Sequence, residues 1–150
     1  VSGWLVVAVD GTLTHHTTTP TSALIKEAIG DWWDMVHLPS GLMGWVDGDG
    51  HPKGLERNVA GSILLMALGA GRMPYAGPVV VTGWHPVREI SELTEDGEYY
   101  VRTVHEQIAG ALAGVAGDAV FADAVRKTAT DVLGAPTPAM TVIPLGGEGR

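Results

Sequence analysis

The sequence predicts an α+β fold: a mainly antiparallel sheet packed on a buried helix, with two C-terminal helices. Three observations predict it. Short valine-rich runs such as Trp4–Val9 and Pro78–Thr82 are strand-sized and bounded by turn residues. The run Val59–Leu68 is apolar on nearly every helical face, so it belongs inside. Beyond residue 100 the apolar positions take helical spacing.

Each element follows from local chemistry. Trp4–Val9 reads as a buried strand, and Asp10-Gly11 as a tight-turn pair. Thr12–Thr18 is a second strand with a polar face, which closes an N-terminal hairpin. Thr21 or Ser22 can cap a helix over Ala23–Ile29, with Gly30 as its stop. Asp31–Leu38 is the next strand, ended by Pro39. Its consecutive Trp32 and Trp33 face opposite sides, one filling the core and the other lying outward. Leu42–Val46 is another strand, followed by the turn Asp47–Gly50. Asn58 stands where the Val59–Leu68 helix needs a cap, and Gly69–Gly71 ends that helix. Pro78–Thr82 is expected to be a central strand.

The character then changes. Residues 89–98 carry Glu89, Glu92, Glu95, Asp96 and Glu98 with no base. They read as a solvated loop and a first helical turn, where acids suit the helix dipole. Val101, Val104, Ile108, Leu112 and Val115 mark one helix; Phe121, Val125, Thr128 and Val132 suggest a second. The tail from Leu133 is rich in Pro and Gly, with Met140–Ile143 its one strand-like stretch. A single domain is expected over 1–150: an α/β core at 1–88, an acidic helical extension at 89–133, and a Pro/Gly-rich tail at 134–150. Charge divides unevenly, −2 over 1–88 and −6 over 89–150.

With 150 residues, 45% of them hydrophobic and 17% charged, the chain can build one real core. A formal charge of −8 argues against direct nucleic-acid binding, which needs clustered Lys and Arg. The absence of cysteine excludes disulfides, thiolate nucleophiles and Cys-based metal centres. No basic leader precedes Trp4, and the apolar runs are too short to span a bilayer, so a cytoplasmic protein without a membrane segment is expected.

Three stretches together carry a family likeness. One is Ala23–Leu38, with Gly30-Asp31-Trp32-Trp33-Asp34 at its centre. The next is Val46-Asp47-Gly48-Asp49-Gly50 followed by Leu55–Ala60, and the last is Tyr75–Gly83. In that order, over about residues 4–85, they resemble an uncharacterised domain of unknown function (family number 3846) of phages, plasmids and actinobacterial genomes. The family often has Gly-Gly at Gly30-Asp31 and Glu at Asp34. It has no established catalytic residues to carry over. The resemblance implies a small accessory protein of mobile elements.

Several chemistries can be weighed against the residues. Val7-Ala8-Val9-Asp10-Gly11-Thr12 resembles the haloacid dehalogenase phosphatase signature, but Ala8 stands where the nucleophilic Asp belongs. Asp47–Asn58 begins like a calcium loop, yet Pro52 and Asn58 occupy the Gly and Glu positions. Gly69-Ala70-Gly71 follows a helix, not a strand, and Pro74 replaces the last glycine of a dinucleotide fingerprint. His15 and His16 are adjacent, so on a strand they point to opposite faces and share no metal. His105-Glu106 has no second His one turn on.

The leading expectation is a non-enzymatic binding protein that takes a protein partner or a small molecule, with no cofactor, metal or catalytic residue assigned. Self-association stays open. The binding residues to test are Trp33, His37, Arg57, Asn58 and Trp84. The tryptophans offer stacking surface, His37 shares a strand face with Trp33 and Met35, Arg57 can pair an anion, and Asn58 serves first as a cap. Two alternatives stand beside it. An acidic mimic of DNA would use the acids of 89–98, and a small hydrolase would pair His37 or His85 with a carboxylate.

Overall fold

The computed structural model describes residues 3–50 and 53–113. The chain opens with β1 (Trp4–Val7) and β2 (Leu13–His16), paired antiparallel. Residues 8–12 make the turn between them. The Asp10 carboxylate accepts the Thr12 N–H at 2.9 Å, so this acid closes its own turn. The turn begins at Ala8, two residues earlier than the Trp4–Val9 expectation, because the Gly11 N–H already donates to the Ala8 carbonyl.

α1 (Ser22–Ile29) is capped by Thr21, whose hydroxyl accepts the Leu24 N–H, and it stops at Gly30 with φ 130°. β3 (Trp33–His37) and β4 (Leu42–Asp47) form the next hairpin. α2 (Val59–Ala67) is capped by Asn58, and Ala60–Leu65 are buried without interruption, as an all-round apolar helix must be. β5 (Val79–His85) lies in the middle of the sheet. β6 (Glu89–Ser91) pairs antiparallel with the second half of β5. α3 (Glu95–Leu112) follows, capped by Thr94.

The sheet runs β2-β1-β5-β4-β3, with β6 also on β5, and every pair is antiparallel. Strand alternation sends side chains to two covered faces. Leu5, Val7, Leu42, Val46, Val79 and Val81 meet α2 and α3. Trp4, Met43, Trp45 and Val80 meet Ile25 and Ile29 of α1. Fully burying a side chain such as Ile25 contributes about 2 kcal/mol, and it anchors an eight-residue helix that would not persist alone. The α+β architecture stands, with an antiparallel sheet, a buried helix and a C-terminal helix.

The acidic stretch needs a correction. Residues 89–91 are a strand, not a solvated loop, since Trp84 pairs with Ile90 and Gly83 with Ser91. Glu89 and Glu92, either side of Ile90-Ser91, hid a two-residue alternation too short to register. Glu95, Asp96 and Glu98 do form the first turn of α3. α3 buries Val101, Val104 and Ile108 in the core shared with α2. The expected helix around Phe121–Val132, the strand Met140–Ile143 and the tail lie outside the described residues. Among the described residues no helix is long and apolar enough to cross a membrane.

Candidate functional site

A cleft of about 490 Å³ opens where the β3–β4 turn meets the β5–β6 hairpin. Two backbone features build it. Ser40 and Gly41 both take positive φ, 64° and 74°, which turns the chain tightly between β3 and β4. The Trp84 N–H then donates to the Gly41 carbonyl at 2.8 Å, tying that turn to β5. On the other hairpin, Glu89 takes φ 62°, where a glycine would be at ease. Ser40 and Glu89 are the two non-glycine residues with positive φ among the described residues, and both belong to the turns that frame the cleft.

Trp84, His85, Arg88 and Glu92 give the cleft its chemistry, with Ile90 and Leu42 as apolar wall. His85 is fixed by its own hairpin. Its Nδ1 accepts the N–H groups of Val87 at 3.1 Å and Arg88 at 3.2 Å. That leaves Nε2 as the protonated nitrogen of the neutral ring, a donor. Glu92 is held too: Oε1 accepts the Gly3 N–H at 3.4 Å and Oε2 the Thr19 hydroxyl at 3.1 Å. Among the described residues no carboxylate pairs with the Arg88 guanidinium, which is exposed at the rim.

The five residues read from the sequence do not form one site. Trp84 lines the cleft. Trp33 packs edge-on against Trp45 at 5.1 Å between ring centroids, and Trp45 meets Trp84 at 6.3 Å. The two candidate tryptophans thus flank one buried indole, and Trp33 supports the wall from behind. Trp32 precedes the strand and is 71% exposed. His37 is exposed on the edge strand opposite Met43, outside the cleft lining. Arg57 bridges to Ala76 before α2, away from the cleft.

Asn58 has no exposed surface and no spare polar atom. Its Oδ1 accepts the Gly61 N–H at 2.8 Å, and its Nδ2 donates to the carbonyls of Val7 at 2.8 Å and Gly77 at 2.9 Å. It joins α2, β1 and the entry to β5, so it holds the fold and has nothing left for a ligand. His85, the histidine of the hydrolase alternative, does line the cleft, and Arg88 beside it is the residue that sequence reasoning missed. The available signal was His85-Pro86 after a central strand, which puts a histidine at a hairpin corner.

Three further histidines, His15, His16 and His105, take structural partners. His16 stacks on Trp4 at 4.3 Å on the α1 face. His15, on the opposite face, meets Arg102 of α3 at 3.1 Å, and Arg102 also pairs with Glu98. The His105 Nε2–H donates to the Gly11 carbonyl at 2.7 Å, fastening α3 to the first hairpin. At the far end of β4, the buried Asp47 carboxylate accepts the Asp49 N–H through Oδ1. Lys53 stands 2.7 Å from Oδ2, held by charge and off hydrogen-bond geometry. Among the described residues no group of three His, Asp or Glu could hold a metal ion.

No family model matches the chain, and no curated protein or solved structure matches it either.

Proposed function

We propose that this chain is a non-enzymatic binding domain that takes a small molecule in the cleft between the β3–β4 turn and the β5–β6 hairpin. The cleft itself carries the proposal: its volume of about 490 Å³ falls within the usual range of small-molecule sites. It combines an indole, apolar wall and a few polar groups, as such sites do. A hydrolytic role has less support. His85 spends its Nδ1 on two backbone N–H groups, and no hydrogen bond or ion pair joins it to Glu92. A general base needs its second nitrogen oriented by an acceptor. The DNA-mimic reading also loses ground, since Glu92 and Glu98 already have partners within the protein. Service as an accessory protein of a mobile element, where the ligand modulates a host process, belongs to the same proposal.

Native against denaturing mass spectrometry of gently purified protein tests it. The expected result is a reproducible small-molecule adduct that is lost on denaturation and absent from a Trp84→Ala variant that still folds. An adduct equally abundant on Trp84→Ala overturns the assignment to this cleft.

A further inference from the structure

We propose that the cleft takes a small monoanion, a carboxylate carried on a planar apolar body; this rests on the cleft-binding reading above. The charges in the lining are one cation and one anion, Arg88 and Glu92. They are not equivalent. Both Glu92 oxygens accept donors from the protein, Gly3 N–H and Thr19 hydroxyl, so this carboxylate is satisfied without a ligand. Arg88 meets no carboxylate among the described residues. Its planar fork of N–H groups matches a carboxylate in two parallel bonds.

His85 adds a second donor. Its Nδ1 is occupied by the Val87 and Arg88 N–H groups, so the nitrogen left over is Nε2–H. The same turn therefore presents the Arg88 side chain and orients the His85 ring. Donors that meet no protein acceptor among the described residues suit an anion that displaces their water. The fixed charge of Glu92 limits how much charge: Arg88 and Glu92 leave the lining neutral, so a monoanion paired with the guanidinium adds a single negative charge, whereas a phosphate dianion adds two and more repulsion against Glu92. Trp84, Ile90 and Leu42 supply the surface for the body of the ligand, and an indole in that wall suits a flat one. The frame is held under strain: Ser40 and Glu89 keep left-handed backbone, which the surrounding turns must hold in place.

The test is a titration of the full chain followed by proton–nitrogen correlation spectra, with benzoate, its neutral counterpart benzamide, and inorganic phosphate as probes. Benzoate is expected to shift the Trp84 indole and the Val87 and Arg88 amides saturably, and to bind about tenfold tighter than benzamide. Arg88→Gln is expected to abolish that preference, while Arg72→Gln, an exposed arginine outside the cleft, leaves it intact. Equal binding of benzoate and benzamide overturns the anion assignment and leaves the cleft-binding reading standing. So does a preference that survives Arg88→Gln. Phosphate binding more tightly than benzoate overturns the carboxylate class. The absence of shifts from all three probes overturns this inference, and the absence of any adduct under native conditions as well overturns the cleft reading with it.

Discussion

Asn58 shows how much one side chain can decide. It caps α2 and donates to the carbonyls of two further segments, all without exposure. Replacement by Ala removes the cap and strands two buried acceptors, so Asn58→Ala is expected to cost roughly 3 kcal/mol, read as a lowered urea midpoint with an unchanged slope. A loss near 1 kcal/mol would mean that the cap alone matters. Glu89 works in the opposite sense. Its φ of 62° is a glycine conformation, so Glu89→Gly is expected to raise stability by about 1 kcal/mol in the same assay. An unchanged or lower midpoint would show that the glutamate side chain offsets its backbone strain.

At the scale of elements, β5 links both cores to the cleft. Thr82 is buried on it and accepts the Trp45 Nε1–H at 2.9 Å while donating to the Gly83 carbonyl. Thr82→Val keeps the shape and leaves the indole N–H unpaired, which is expected to cost about 2 kcal/mol by thermal or urea unfolding. A neutral result would mean that the indole finds another acceptor. Gly83, the next residue, runs against the chain between β6 and α3; a Cβ there would collide with the Glu92 carbonyl oxygen. Gly83→Ala is therefore expected to lower stability by roughly 2 kcal/mol and to displace Glu92 at the cleft wall, visible as loss of the Gly3 amide's hydrogen bond in exchange measurements. Protection of that amide as in the parent protein would contradict this.

At the scale of the whole molecule, two exposed titrating groups add a pH dependence to stability. Thr12, chiefly through its backbone N–H, holds the Asp10 carboxyl below its ordinary 3.8. The folded form therefore prefers the carboxylate. Its contribution is present above pH 3.8 and is lost as pH falls through the folded value. The Asp47 carboxylate raises the Lys53 ammonium above its ordinary 10.5. That contribution is present below pH 10.5 and is lost as pH rises through the folded value. Urea midpoints across pH are expected to fall at both ends. Asp10→Asn should flatten the acid limb, and Lys53→Met the alkaline one. An alkaline limb that persists in Lys53→Met would point to Tyr75, whose phenol burial pushes up.

The fold class, most of the elements and their caps were legible in the residues alone. The caps made by Thr21, Gly30 and Asn58 act within a few residues of themselves, and a run apolar on nearly every face such as Val59–Leu68 has only one place to go. Alternation likewise sent His15 and His16 to opposite faces. Strand β6 escaped because three residues are too few to show a period, and its pairing partner Trp84 is fixed only when the hairpin closes. The cleft escaped for a related reason. Ser40 comes from one hairpin and Trp84, His85 and Arg88 from another, and Glu92 is held by Thr19 and Gly3 from far back in the chain. Local chemistry sets what each segment can be. Only long-range pairing in the sheet decides which segments share a wall, and so which side chains face one ligand.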